Sequence, residues 1–82
     1  MSFDLMQFEQ GRTPDIVDET GAPAVTYIGF VNPGTVDPSE ARFMIKRITS
    51  VAGITKTEYA GGNNLYNKVW NDRAILIYSY LK

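Results

Sequence analysis

A chain of 82 residues with neither cysteine nor histidine forms one small domain that cannot be stapled by disulfides or by the usual zinc ligands. The same two absences remove the common general base and the thiolate nucleophile, so the composition points away from an enzyme and implies no cofactor. The net charge of −1 conceals a polarity: Asp4, Glu9, Asp15, Asp18 and Glu19 face only Arg12 in the front of the chain, whereas cations outnumber acids after Ala41.

The first 23 residues read as an N-terminal arm and loop, and residues 24–82 as a single small β-domain. In the arm, Phe3 and Leu5 alternate with polar neighbours before the pattern shifts to Met6 and Phe8. This suits a short edge strand or an arm whose rings lodge in a groove, and it ends at Gly11. Residues 12–23 are broken by Pro14, Gly21 and Pro23, which predicts a loop with at most one helical turn, capped by Thr13. Asp15, Asp18 and Glu19 do not follow the spacing of a calcium loop, so no metal site is expected. The start has no basic region followed by an apolar run, and no apolar run approaches membrane-spanning length, so a soluble protein with no membrane partner is expected.

Ala24–Val31 is rich in β-branched and aromatic residues and predicts a strand, with Tyr27 and Ile28 in the core. Gly29 inside it marks a bulge or the close approach of another backbone or ring. Asn32-Pro33-Gly34-Thr35 predicts a turn with positive φ at Gly34, and lacks the Gly-Lys-Ser/Thr of a phosphate loop. After a polar connection through Asp37-Pro38, residues 42–51 predict a second strand with Phe43 and Ile45 inward. A bulge near Lys46-Arg47 would bring Ile48 to the same core and turn both cations outward. Gly53 then reverses the chain, and Ile54–Ala60 returns as an amphipathic strand to complete a hairpin.

Leu65, Tyr66, Val69 and Trp70 share the spacing of one or two helical turns. Trp70 is the expected core anchor. Arg73 is expected to pair with Asp72 or with an acidic residue of the front half, and to stack on an aromatic ring. The closing run Ala74–Leu81 is uncharged and almost wholly apolar, which predicts a central strand, or one whose second face is covered by another subunit. On this reading Ile75 and Ile77 belong to the core, while Leu76, Tyr78 and Tyr80, with Phe3, Leu5 and Phe8 of the arm, form an interface. The predicted architecture is mainly β: a small antiparallel sheet or partly closed barrel of four to five strands, with one short helical turn before the last.

Four motifs then stand in order: Tyr27-Ile28-Gly29-Phe30, Pro33-Gly34-Thr35, Ile45-Lys46-Arg47-Ile48-Thr49, and Trp70-Asn71-Asp72-Arg73-Ala74 before Leu76 and Tyr78. In this order the chain resembles a group of small virion-associated proteins of tailed bacteriophages over about residues 25–80. It departs from that group at Phe43, where tryptophan is common, and in the Gly61-Gly62-Asn63 loop, where aspartate is usual. The resemblance implies a structural component of the virion, made in the host cytoplasm, acting as a head decoration or small tail or adaptor protein. It implies partners among other virion proteins or copies of itself, in a homo-oligomer or larger assembly, and no catalytic residues.

The alternative is a single-strand nucleic-acid-binding β-module, with Tyr59, Tyr66, Trp70, Tyr78 and Tyr80 as stacking platforms beside cations. The slightly acidic chain and the absence of an RNA-recognition signature disfavour it. A host-directed inhibitor that mimics an edge strand is a third option, which the residues do not separate from the first.

Overall fold

The computed structural model describes residues 13–35 and 37–81. Six antiparallel strands form one open sheet: β1 (Ile16–Asp18), β2 (Val25–Val31), β3 (Ala41–Val51), β4 (Ile54–Ala60), β5 (Lys68–Val69) and β6 (Tyr78–Ser79). Their order is β1-β2-β3-β4-β6, with β5 pairing the start of β3 on the same side as β4. A 3-10 turn, Trp70–Asp72, follows β5 directly.

The long strands form where β-branched and aromatic residues cluster, and local turn chemistry joins them. β3 and β4 meet through Ala52-Gly53, both at positive φ (53° and 81°), the twist that a two-residue hairpin demands. Glycine takes this conformation freely; Ala52 takes it at a steric cost. Gly34, at φ 93°, closes the predicted turn after β2.

Two departures from the sequence reading concern the sheet itself. Ile16–Asp18, expected in a loop or helical turn, form an edge strand paired with Tyr27–Gly29. The register of β2 with β3 then runs unbroken from Val25–Thr49 to Val31–Phe43, so no bulge interrupts Lys46-Arg47. The bulge was inferred on the premise of one buried face. Both faces are buried, so Ile48 needs no shift to reach a core.

The first face gathers Phe43, Ile45, Ala60, Trp70 and Tyr78, with Ile16, Tyr27, Val31 and Leu76 packed around them. The second gathers Ile28, Phe30, Met44 and Ile48, with Val17, Tyr59 and Tyr66. Lys46 shares the second face and is 2 % exposed, not turned outward as expected. Its stem lies among apolar residues, and its ammonium sits 5.4 Å from the Phe30 ring centroid and 5.9 Å from that of Tyr59, within cation–π range.

The closing segment is the third departure. Ala74–Leu81 is not a central strand: only Tyr78 and Ser79 pair, against Ala60 and Tyr59, at the edge of the sheet. The chain spends its first residues after Trp70 in turning. Arg73 N–H donates to the Trp70 carbonyl, and the N–H groups of Ile75 and Leu76 both donate to that of Asp72. The predicted helical turn exists, but it begins at Trp70 instead of spanning Leu65–Trp70.

Candidate docking surface

The surface begins with what lies under it. Gly29 pairs with Ile16 on one side and Ile45 on the other, and the Trp70 indole lies over it. A Cβ at Gly29 would come within 2.8 Å of Trp70 Cε3 and Cζ3 and 2.7 Å of Ile16 Cγ2, so only glycine admits the ring at this depth. Phe43 flanks the indole at 6.1 Å between centroids.

Arg73 lies over the same ring, its guanidinium carbon 4.7 Å from the centroid. Arg73 Nε donates to Asp18 Oδ2 at 2.9 Å, tying the closing segment to β1. Hydrogen bonds from the Thr20 hydroxyl and the Thr20 N–H, helped by Arg73, hold the Asp18 carboxyl down at about 2.

Tyr78 pins the far end. Its ring packs on Tyr27 at 5.9 Å and under the Arg47 guanidinium at 4.6 Å, and its hydroxyl donates to the Arg73 carbonyl at 2.8 Å. Burial, reinforced by Tyr27, raises the phenol well above its ordinary range against the pull of Arg47 and Arg73, so it remains a neutral donor. Arg47 is itself held by Glu58 at 2.9 Å.

Between these anchors the segment alternates. Leu76 and Tyr78 turn inward, while Ile75 and Ile77 are 79 % and 81 % exposed. This inverts the expected faces. The sequence pattern places Ile75 and Ile77 in the core, and Leu76 and Tyr78 at an interface. The inversion follows from what each face meets: Tyr27, Arg47 and the Arg73 carbonyl offer a tyrosine stacking and a hydrogen-bond acceptor that no isoleucine can use. Tyr80, beyond the covered region, is exposed with Leu81. Phe3, Leu5 and Phe8 lie outside the described residues. Of the other core assignments, Ile28, Phe43, Ile45, Ile48 and Trp70 are buried and Tyr27 is half-buried.

The result is an exposed aliphatic ridge, Ile75 and Ile77, on a hydrogen-bonded turn fixed by Trp70 and Arg73 before it and Tyr78 after it. Its side chains contribute little to the fold, and the backbone that carries them is already held by hydrogen bonds, which lowers the cost of ordering it on binding. Such a surface does no chemistry by itself. It buries apolar area when something covers it.

The residues bring together no metal site either: among the described residues no three acidic side chains group to hold an ion. Asp15, Ile16, Val31, Thr35, Asp37, Pro38 and Phe43 line a hollow of about 230 Å³, but its carboxylates serve the fold. Asp15 accepts from the Val31 N–H, and Asp37 accepts from the Ser39 N–H and hydroxyl. No helix of the described residues is long and apolar enough to cross a membrane. Comparison of the chain with protein families, curated proteins and solved structures finds no match.

Proposed function

We propose that this protein is a docking component of a tailed-bacteriophage particle, a head decoration or small tail or adaptor protein that acts by contact instead of reaction. One observation carries the docking part: the most apolar run of the chain holds Ile75 and Ile77 outward on a braced turn, with Tyr80 and Leu81 exposed after them. The phage part rests on the ordered motifs from Tyr27 to Tyr78.

The same geometry weighs against a nucleic-acid platform. Trp70 and Tyr78 are buried under Arg73 and Arg47, and those two cations are already paired with Asp18 and Glu58. Tyr59 and Tyr66 pack against the second core, which leaves Tyr80 as the one exposed ring of the five that would stack bases.

Mass spectrometry of purified particles of the encoding phage tests the proposal. The chain is expected in wild-type particles and depleted when Ile75 and Ile77 are both changed to serine. Absence of the chain from wild-type particles overturns the virion role.

A further inference from the structure

The ridge has a counterpart elsewhere on the same molecule. Beyond the point where Tyr78 and Arg47 close over the first face, the β3–β4 hairpin runs on uncovered to its tip. Arg47, Thr49, Val51, Ala52, Ile54, Lys56 and Glu58 line a groove there of about 560 Å³, a volume that holds a small ligand or a few side chains. Val51 and Ile54 are largely exposed.

From these two features we infer that the groove receives the Ile75–Ile77 ridge of a second copy of this chain, in a head-to-tail contact. The inference rests on the docking reading above and names its partner.

Two properties match. The groove is aliphatic at its tip, at Val51, Ala52 and Ile54, and so are the ridge side chains. Lys56 borders the groove and Asp72 precedes the ridge; neither has an ion-pair partner among the described residues, and they are of opposite sign.

The ridge cannot reach the aliphatic tip of the groove in its own molecule. Ile77 is fixed beside Gly61, whose N–H donates to its carbonyl, at the end of β4 away from Ile54. At about 3.3 Å per residue the strand separates the two by roughly 20 Å. Two different patches give a heterologous contact, which grows into a ring or a filament instead of stopping at two.

Sedimentation velocity on the full chain tests this with two variants at exposed positions, Ile54→Asp (groove) and Ile77→Asp (ridge), each first shown to unfold at the wild-type temperature. Wild type is expected to associate beyond dimers as concentration rises. Each variant alone is expected to lose affinity by about 30-fold or more. An equimolar mixture is expected to recover a dimer and stop there, since one intact groove and one intact ridge remain to meet. Self-association that persists in both variants, or a mixture that stays monomeric, overturns the inference. Wild type that is monomeric at every concentration also overturns it; if particles still lose the chain when the ridge is altered, the ridge docks on a different protein and the docking reading survives.

Discussion

The β2–β3 pair and the Ala74–Leu81 segment are both rich in aliphatic and aromatic residues, and they meet opposite fates. Each of β2 and β3 has a neighbour on either side and a core on either face, so that even Lys46 is buried there. The closing segment contributes two residues to the sheet edge and leaves two isoleucines in solvent. Apolar sequence therefore does not measure burial. A residue is buried when the fold supplies atoms to cover it, and the long ladder of β2 with β3 creates that cover where a segment consumed by a turn does not.

The contrast can be broken most severely at the anchor. Trp70→Ala removes the side chain that joins the closing segment to β2, and should cost about 3–5 kcal/mol in urea unfolding. If the cost is below about 1 kcal/mol, the segment is not held from beneath as described.

Gly29→Ala comes next. The added methyl meets Trp70 and Ile16 at 2.7–2.8 Å, so overpacking should cost about 1–3 kcal/mol. Because Trp70 is one of the atoms struck, the cost should shrink when Trp70 is already phenylalanine, and a double-mutant cycle would show that coupling. Strict additivity would mean that the ring does not rest on Gly29.

A smaller effect is written in pH. Asp18 is held at about 2 against an ordinary value of 3.8, so its contribution is complete above the unfolded value and is lost as pH falls from there toward 2. Wild type minus Asp18→Asn, measured by denaturant unfolding at several pH values, should show a difference that is steady above about pH 5 and declines below pH 4. A difference that grows on acidification would contradict the assigned tie.

Much of this arrangement was legible beforehand, in places where local chemistry decides it. The strand around Ile28, the hairpin reversing at Gly53 and the turn at Gly34 follow from β-propensity and from glycines that accept positive φ. Gly29 within a strand signalled a close approach, which proved to be the Trp70 ring. Arg73 did find an acid in the front half, Asp18, and an aromatic ring, Trp70.

What stayed hidden depends on distant partners. Alternation in Ala74–Leu81 separates its residues into two sets, but not which set is inside; that sign is decided by Tyr27, Arg47 and the Arg73 carbonyl, brought there by folding. Lys46 lies inward because the sheet is covered twice, which its neighbours in sequence do not announce. Ile16–Asp18 has too few residues to declare a strand and becomes one by pairing with β2. The groove at the hairpin tip was likewise not foreseen, since Arg47, Thr49 and Lys56 read locally as the polar side of a hairpin.

The least expensive change for the fold should be Ile77→Ser, within about 0.5 kcal/mol of wild type. Paired with Leu76→Ser it gives the most direct test of the whole account, because the two residues are adjacent and differ in little but direction. Urea unfolding of both variants, at concentrations where the chain is monomeric, should show the midpoint falling for Leu76→Ser and unchanged for Ile77→Ser. A midpoint that falls for Ile77→Ser while Leu76→Ser matches wild type would mean that the isoleucines form the inner face, and that there is no ridge to dock.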